Sequence, residues 1–486
     1  MSDFNNLREK TLSSMIWKFM ERIAAQLVSL IVSIIIARLL SPSDYGIVSI
    51  VTIFFVFSDI IISGGLNTAL IQKKEPDDKD YSTVLIITIV MSIIVYAIMF
   101  FCAPWISKIY NQPLLIPTIR IMGLVMPVNG IKSIVCAYVS STLQFRKFFY
   151  STLGGTIASG IVGIFLALHG AGVWALIVQQ MTNTFVDTFL LFIITKFKFK
   201  ICFSIKRAKG LFGYGWKILV SSLINTAYSQ IRPIVIGVKF SAADLSFYSK
   251  GESFPQLINS TTTDTLSAVL FPVLAKFQDD KKALLKYTRL FIQLASFVAF
   301  PLMLGMYAVA DKMIIVLLSE KWIGATIYIR VFAIANMFNM INSGNCETIK
   351  AMGKSDVFLK MEIIKKTSYF VIIAVFIFFS NDPIYLAYSA YLCTVIAIIV
   401  NTIPNRKFLG YSYIDQVLDV LQNLVTSVLM CVIVMLIGHL VRNVIICLLV
   451  QIVIGAIFYL TINYFLKNRN LFYIKDIIKQ QISKNI

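Results

Sequence analysis

The chain has 486 residues, of which 58% are hydrophobic and only 14% charged. A soluble domain is about half apolar and about a quarter charged, so this composition excludes a water-soluble globular protein. The formal net charge is +20, but the basic residues fall in short breaks between apolar runs, which is a pattern of membrane topology and not of a folded nucleic-acid-binding face.

In chain order, the stretch Met1–Thr11 is polar and mixed in charge. The apolar run that follows is too long for a signal-peptide core and lacks a small-residue cleavage site, so it is expected to remain as the first span. Apolar runs near 20 residues match the bilayer core. Hydropathy and breakers predict spans at 14–40, 45–71, 81–106, 116–141, 150–168, 172–195, 214–239, 244–275, 287–308, 325–349, 357–380, 383–404, 414–438 and 442–466. The predicted class is all-α, a polytopic membrane protein of about fourteen transmembrane helices.

Lys and Arg alternate between loops. One side collects Arg8, Lys10, Lys73, Lys74, Lys79, Arg146, Lys147, Lys196 and Arg207, then Lys281, Lys350, Lys354, Arg406, Lys407 and the tail Lys467–Lys484. The other side holds only Arg38, Lys108, Lys239, Lys312, Lys321 and Arg442. By the positive-inside rule both termini are expected in the cytoplasm. The seven cysteines are scattered, mostly in apolar context and without a CxxC pair, as expected of small packing residues.

The chain also repeats itself. Trp17-Lys18 opens an apolar helix that closes on Ser41-Pro42-Ser43-Asp44, and Trp216-Lys217 opens another that closes on Ser241-Ala242-Ala243-Asp244. One residue must be gapped to align them, but each copy heads a set of six spans. An even number of spans makes the copies parallel, with a pseudo-twofold axis along the membrane normal and a substrate path between the halves. The expected division is a six-helix lobe at 1–195, a basic cytoplasmic linker at 196–210, a second six-helix lobe at 211–405, and two extra helices with a basic tail at 406–486.

Several spans carry polar stripes at helical spacing. The first holds Lys18, Arg22, Gln26, Ser29 and Ser33; the seventh holds Lys217, Ser221, Asn225, Ser229 and Arg232. The eighth holds Glu252, Gln256, Asn259 or Ser260, Thr263 and Ser267 with Asp264 beside them, and the tenth holds Arg330, Asn336, Asn339, Ser343 and Glu347. A charge facing lipid costs several kcal/mol, so such stripes are expected to line a watery cavity. The alternative for Lys18, Arg22 and Lys217 is snorkelling to lipid phosphates from the cytoplasmic end. Asp59, Lys132, Asp187 and Asp264 are further intramembrane charges, for ion coupling or for internal ion pairs that only hold helices together. Bases outnumber acids in the first and seventh stripes, which suits an anionic cargo such as phosphate or pyrophosphate. The candidate cargo contacts are Lys18, Arg22, Gln26, Lys217, Asn225, Arg232, Gln256 and Arg330.

Catalytic chemistry is not written in the chain. The only histidines are His169 and His439, in predicted outer loops of different halves. They build neither a metal site nor a nucleophile–base pair, and no GxxxxGK[ST] loop is present. The expectation is a non-enzyme without a cofactor, driven where needed by an ion gradient or the membrane potential.

The segment Ala37–Gly46 (ARLLSPSDYG) resembles the first-loop signature of bacterial polysaccharide flippases of the Wzx type, in the multidrug/oligosaccharidyl-lipid/polysaccharide exporter superfamily. Gly65–Lys73, Gly170–Leu176, Phe271–Ala275, Phe300–Gly305, Ser319–Trp322 and Ala351–Lys354 are similar to that family in collinear order. The resemblance implies a transporter with two six-helix lobes in a V, in the bacterial inner membrane. Its cargo would be an undecaprenyl-pyrophosphate-linked oligosaccharide for O-antigen, capsule or exopolysaccharide. Membrane lipids are further partners it implies, with a polymerase and chain-length machinery beside them and no nucleic acid. By analogy with lipid II flippases, the last two helices would carry a lipid-tail groove. One departure is Arg232 ahead of Ile236-Gly237, where the family often has an acid. The competing readings are a multidrug-type cation antiporter, whose cavity would be acidic, a lipid II flippase, and a scaffold of a polysaccharide-synthesis complex.

Overall fold

The computed structural model describes residues 24–73, 76–142, 144–196, 202–262, 270, 273–379, 381–473 and 475–476, and the backbone alone of 263 and 264. Among the described residues every regular element is helical. The first unit contains α1 (Ala24–Leu39), α2 (Pro42–Ser63), α3 (Leu66–Gln72), α4 (Asp78–Ile109), α5 (Leu115–Met122), α6 (Val125–Ser141), α7 (Arg146–Leu168), α8 (Val173–Thr195) and α9 (Ile205–Lys239). Then follow α10 (Ala242–Asn259), which runs into a π-helical turn at Ser260–Asp264, and α11 (Lys281–Leu318), α12 (Ala325–Asn336) and α13 (Asn339–Ala351). The chain ends on α14 (Ser355–Phe379), α15 (Pro383–Leu409), α16 (Tyr413–Leu440) and α17 (Val444–Phe465).

The described residues of every predicted span are largely helical. Among the described residues, nine helical segments are long and apolar enough to cross a membrane. The 35-residue α9 and the 25-residue α14 are long enough but are not among the nine. Both carry several charges, such as Lys206, Arg207 and Lys217 on α9 and Lys360, Glu362 and Lys365 on α14.

Local chemistry sets the helix ends. Ser41 caps α2 through a reciprocal box with Asp44, and Pro42 occupies its first turn, where a missing N–H costs nothing. Asp77 with Asp80 caps α4, and Ser412 with Asp415 caps α16, in the same way. Among the described residues, three predicted spans break into two separate α-helices. The span 45–71 breaks where Gly64 (φ 52°) and Gly65 (φ 70°) adopt left-handed backbone. The spans 116–141 and 325–349 break between α5 and α6 and between α12 and α13. The predicted linker 196–210 becomes helix from Ile205 onward.

The duplication has structural counterparts. Ser41 Oγ donates to Asp44 Oδ2 at 2.6 Å, and Ser241 Oγ donates to Asp244 Oδ2 at 2.6 Å. Tyr81 and Ser141 share a hydroxyl hydrogen bond at 2.9 Å, and 207 positions on Thr288 and Thr348 share one at 2.7 Å (288 − 81 = 207; 348 − 141 = 207). Arg120 stacks on Phe100 and donates to its carbonyl, and Arg330 does the same to Tyr307. The fourth span breaks in both copies.

The chain divides into two compact units, Met1–Ser246 and Phe247–Ile486. In the first, Leu66, Leu70, Tyr81, Val84, Ile134 and Leu211 form a buried cluster, so α9, which opens the second sequence copy, packs with the first unit. In the second, α11 is central, with Ile292, Phe300 and Met303 buried against Met340 of α13, Met430 of α16 and Tyr459 of α17. Lipid is as apolar as leucine, so close packing and interhelical hydrogen bonds, averaging about 0.6 kcal/mol each, hold such helices together. The second unit is rich in them. Asn423 donates to Gln293 O and to Ser296 Oγ, and Asn468 donates to Asn423 and Asn463. The last two helices, outside the duplication, are thereby fastened to α11.

Candidate functional site: a charged cavity in the first unit

In the first unit, α1, α6, α7 and α8 line an open cavity of about 600 Å³. Helical spacing fixes its walls. On α6, Lys132, Cys136 and Ser140 stand four apart; on α8, Asn183, Asp187 and Leu191 do likewise; on α7, Phe148, Thr152 and Thr156 do the same. Gln26 and Ser29 of α1 complete the lining.

The central feature is a salt bridge, Lys132 Nζ to Asp187 Oδ2 at 2.7 Å. The Lys132 side chain is 29% exposed and that of Asp187 is 7% exposed, and both line the cavity. Asp187 can lie so deep because Gly155 of α7 stands opposite: a Cβ at 155 would sit 2.8 Å from the Asp187 Cβ and 3.1 Å from the Asn183 carbonyl. The second carboxylate oxygen, Oδ1, is buried without a hydrogen-bond partner. Asn183 gives its amide to Ser159 Oγ at 3.3 Å. Beyond Lys132 on the same helix, Asn129 donates to Asp59 Oδ1 at 3.0 Å. A polar track thus runs from Asp59 through Asn129, Lys132 and Asp187 into the cavity.

The sequence-predicted residues fall in several places. Gln26, Lys132 and Asp187 meet in the cavity, and Asp59 joins through Asn129. On α9, Lys217, Ser221, Asn225 and Ser229 form an exposed stripe of one face, while Arg232 is buried with its guanidinium 5.8 Å from the Tyr228 ring centre. Gln256 is exposed on α10. In the second unit, Arg330 is engaged by Asp311 at 2.6 Å, Asn339 donates to Asn336, and Glu347 pairs with Lys350. Lys18 and Arg22, and the side chains of Thr263 and Asp264, lie outside the described residues.

Sequence reading missed Asn129, Asn183, Asp311 and Asp419. The spacing of Asn183 and Asp187, four apart in an otherwise apolar span, was an available signal for the cavity wall. A second charged cluster sits at the start of α4. Lys73 Nζ pairs with Asp80 at 2.5 Å, Arg207 reaches Asp80 at 3.1 Å and also hydrogen-bonds Asp77. Slight desolvation raises the Asp77 carboxyl, but the hydrogen bonds from Arg207 and from the Asp80 amide, with the Arg207 charge, outweigh it and hold it at about 2. Among the described residues no group of His, Cys, Asp and Glu could hold a metal ion.

Known proteins place this architecture. Over 288 residues, 59% of this chain and 58% of the relative, it is 23% identical to the succinoglycan biosynthesis transport protein ExoT of Rhizobium meliloti strain 1021. The alignment therefore spans less than two thirds of that relative. Over 366 residues, 74% of each chain, it is 20% identical to the lipopolysaccharide biosynthesis protein WzxC of Escherichia coli strain K12. The fold matches lipid II flippase MurJ in its inward closed conformation with a TM-score of 0.76, covering 93% of this chain and 99% of that one at 16% identity. The polysaccharide biosynthesis protein family matches over residues 35–327, more than half of the chain. An all-helical, multi-pass membrane protein of this fold with that match belongs to the polysaccharide biosynthesis protein family.

Proposed function

We propose that the chain is a flippase and not an enzyme. It moves an undecaprenyl-pyrophosphate-linked oligosaccharide from the cytoplasmic to the outer leaflet of the bacterial inner membrane, for surface polysaccharide assembly. The observation that carries this reading is the family match over residues 35–327, joined to a cavity that is polar and charged inside an apolar helical body. Relatives whose names specify polysaccharide and lipopolysaccharide biosynthesis support it.

In this reading the sugar lies among amides and hydroxyls such as Gln26 and Asn183, and the pyrophosphate is held by basic side chains. Lys18, Arg22, Lys217 and Arg232 are the bases the stripes offer for that task. The tail stays in the bilayer. An apolar groove of about 630 Å³ on α11, α17 and the residues after it, lined by Phe297, Leu460, Tyr464 and Phe472 with Lys475, suits such a tail. The termini lie in the cytoplasm, an ion gradient or the membrane potential supplies the drive, and a polymerase with its chain-length machinery takes the product.

The test is transport itself. A deletion strain is expected to lose surface polysaccharide and to accumulate the lipid-linked repeat unit inside, and the purified protein in liposomes is expected to flip that unit. Normal surface polymer in the deletion strain, or drug sensitivity as its sole defect, would overturn the proposal. Loss of viability with intact polymer would identify lipid II as the cargo instead.

A further inference from the structure

We infer that α9 is hinged at its cytoplasmic foot: the segment Ser204–Lys209 stays fastened to the first unit while the span beyond it turns about Gly210 and Gly213. The inference rests on the transport reading above and names the joint that such movement uses.

Side chains fasten the foot. Arg207 reaches Asp80 at 3.1 Å and hydrogen-bonds Asp77, and Lys73 pairs with the same Asp80 at 2.5 Å. Asp80 is fully buried and caps α4 together with Asp77, so this cluster belongs to the body of the corner and is not a loose surface pair. About one turn further along α4, Thr83 Oγ1 accepts from the Ser204 amide at 3.3 Å. Ser204 and Arg207 thus present one face of the foot to α4.

Gly210 and Gly213 have no such ties. Both lie inside the 35-residue helix, both are exposed, and a Cβ added at either would meet no atom within 4 Å. Glycine inside a helix is less stable than alanine, and neither close packing nor a left-handed backbone requires it at these two places. Gly215 shows the contrast: a Cβ there would stand 3.0 Å from the Gly64 carbonyl oxygen, so a close backbone approach demands glycine. What Gly210 and Gly213 supply is backbone freedom, the property a hinge needs.

The two sequence copies differ at this place. Aligned on Trp17-Lys18 and Trp216-Lys217, the first copy carries Thr11, Ser14 and Ile16 where the second carries Gly210, Gly213 and Gly215. The glycines therefore belong to the copy whose first helix opens the second set of spans yet is fastened, at its foot, to the first unit. Length places the joint. At about 1.5 Å per residue α9 is about 52 Å long, against a bilayer core of about 30 Å, so its ends project beyond the hydrocarbon. Gly210 and Gly213 precede the span expected at 214–239. Carbonyls released by a bend there meet water and headgroups, where they cost little.

The experiment pairs distances with transport, on the full chain in nanodiscs and in liposomes. Spin labels on genetically encoded handles replace Lys79, Lys206 and Ile224, all exposed, and spare the seven native cysteines. The 79–206 distance is expected to be single both in wild type and in Gly210→Ala/Gly213→Ala. The 79–224 distance is expected to show two populations in wild type and one in the alanine variant. That variant is expected to melt no lower than wild type, because alanine fits both places. It is also expected to flip the lipid-linked unit about fivefold slower or worse. Adding Tyr214→Gly, which moves the flexible link within the same turn, is expected to restore about half of the wild-type rate or more. A single 79–224 population in wild type, a split 79–206 distance, a lower melting point or normal flipping by the alanine variant each overturn the hinge. So does failure of Tyr214→Gly to rescue, which would assign the glycines to a close approach in another state. Two populations in wild type that merge in the alanine variant, without flipping by wild type, keep the hinge and overturn the transport reading.

Discussion

Gly46 lies against the backbone of Ala242: a Cβ at position 46 would stand 1.8 Å from the Ala242 carbonyl oxygen and 2.8 Å from its Cα. Gly46 follows Asp44 of the first Ser-x-x-Asp cap, and Ala242 follows Ser241 of the second, so the two copies of one motif touch. At the far end of α2, Gly65 meets the Gly215 carbonyl of α9 in the same manner. The helix is thus pressed onto the start of α10 at one end, and the residue just past its other end onto α9.

Gly46→Ala is therefore expected to destabilise the protein strongly. The obstacle is backbone and not a flexible tip, and overpacking of this kind costs about 1–3 kcal/mol or more. The measurement is the thermal melting point of the purified protein in detergent, with Gly213→Ala as control. Gly213 lies inside α9 with no atom within 4 Å of an added Cβ, so alanine there is expected to stabilise by about 0.5–1 kcal/mol. A Gly46→Ala protein that melts with wild type would refute the contact.

Much of this fold was legible because a bilayer makes hydropathy almost decisive. The helices run where the apolar runs lie, and the Ser-x-x-Asp echo proved to be a pair of matching caps. The breaks at Gly64-Gly65 and within the fourth span of each copy were hidden, because an apolar run reads the same through a kink. The site was legible by residue type but not by partner. Lys132 and Asp187 stood out as intramembrane charges, yet nothing at 55 residues' separation (187 − 132 = 55) tells that they touch. Arg330 read as a cavity base, and its Asp311 partner was invisible because Asp311 looked like the end of a span.

The paired caps make a second prediction. Ser41→Ala and Ser241→Ala each remove one side-chain acceptor from a helix N-terminus, and each is expected to cost about 0.5–2 kcal/mol in chemical or thermal unfolding. Because Gly46, one turn beyond the first cap, lies against Ala242 of the second, the double variant is expected to differ from the sum by more than about 0.5 kcal/mol. Strict additivity would show the caps to be independent.

Acid should loosen the start of α4. Asp77 is held at about 2, below the usual carboxylate value of about 3.9. A depressed carboxyl contributes stability that is complete above its unfolded pKa and is lost as pH falls through the folded one, here between about pH 4 and 2. The difference in melting point between wild type and Arg207→Gln is expected to be constant above about pH 5 and to shrink across that window. The Asp77 side chain is 51% exposed, so solvent screening keeps the effect small. A difference that grows on acidification would contradict the assignment.

The strongest helix-to-helix tie should be the one at Asp419. Its carboxylate accepts from Arg289 Nε at 2.8 Å, Arg289 Nη2 at 2.7 Å, Gln293 Nε2 at 2.8 Å and the Tyr411 hydroxyl at 2.7 Å. Burial, then the hydrogen bond to Asp419 and its charge, push the Tyr411 hydroxyl above its ordinary range, so it stays a donor at any physiological pH. The Asp419 side chain is 4% exposed and that of Arg289 40%, so removing the acid strands a half-wet cation. Asp419→Asn is accordingly expected to cost about 1–3 kcal/mol, short of the about 3–5 kcal/mol for a fully buried partner. The double variant Arg289→Met/Asp419→Leu is expected to recover most of that loss, since an apolar pair of similar volume strands no charge. If the double variant is instead as unstable as Asp419→Asn, the tie owes its strength to Gln293 and Tyr411, and Tyr411→Phe should then reproduce the defect.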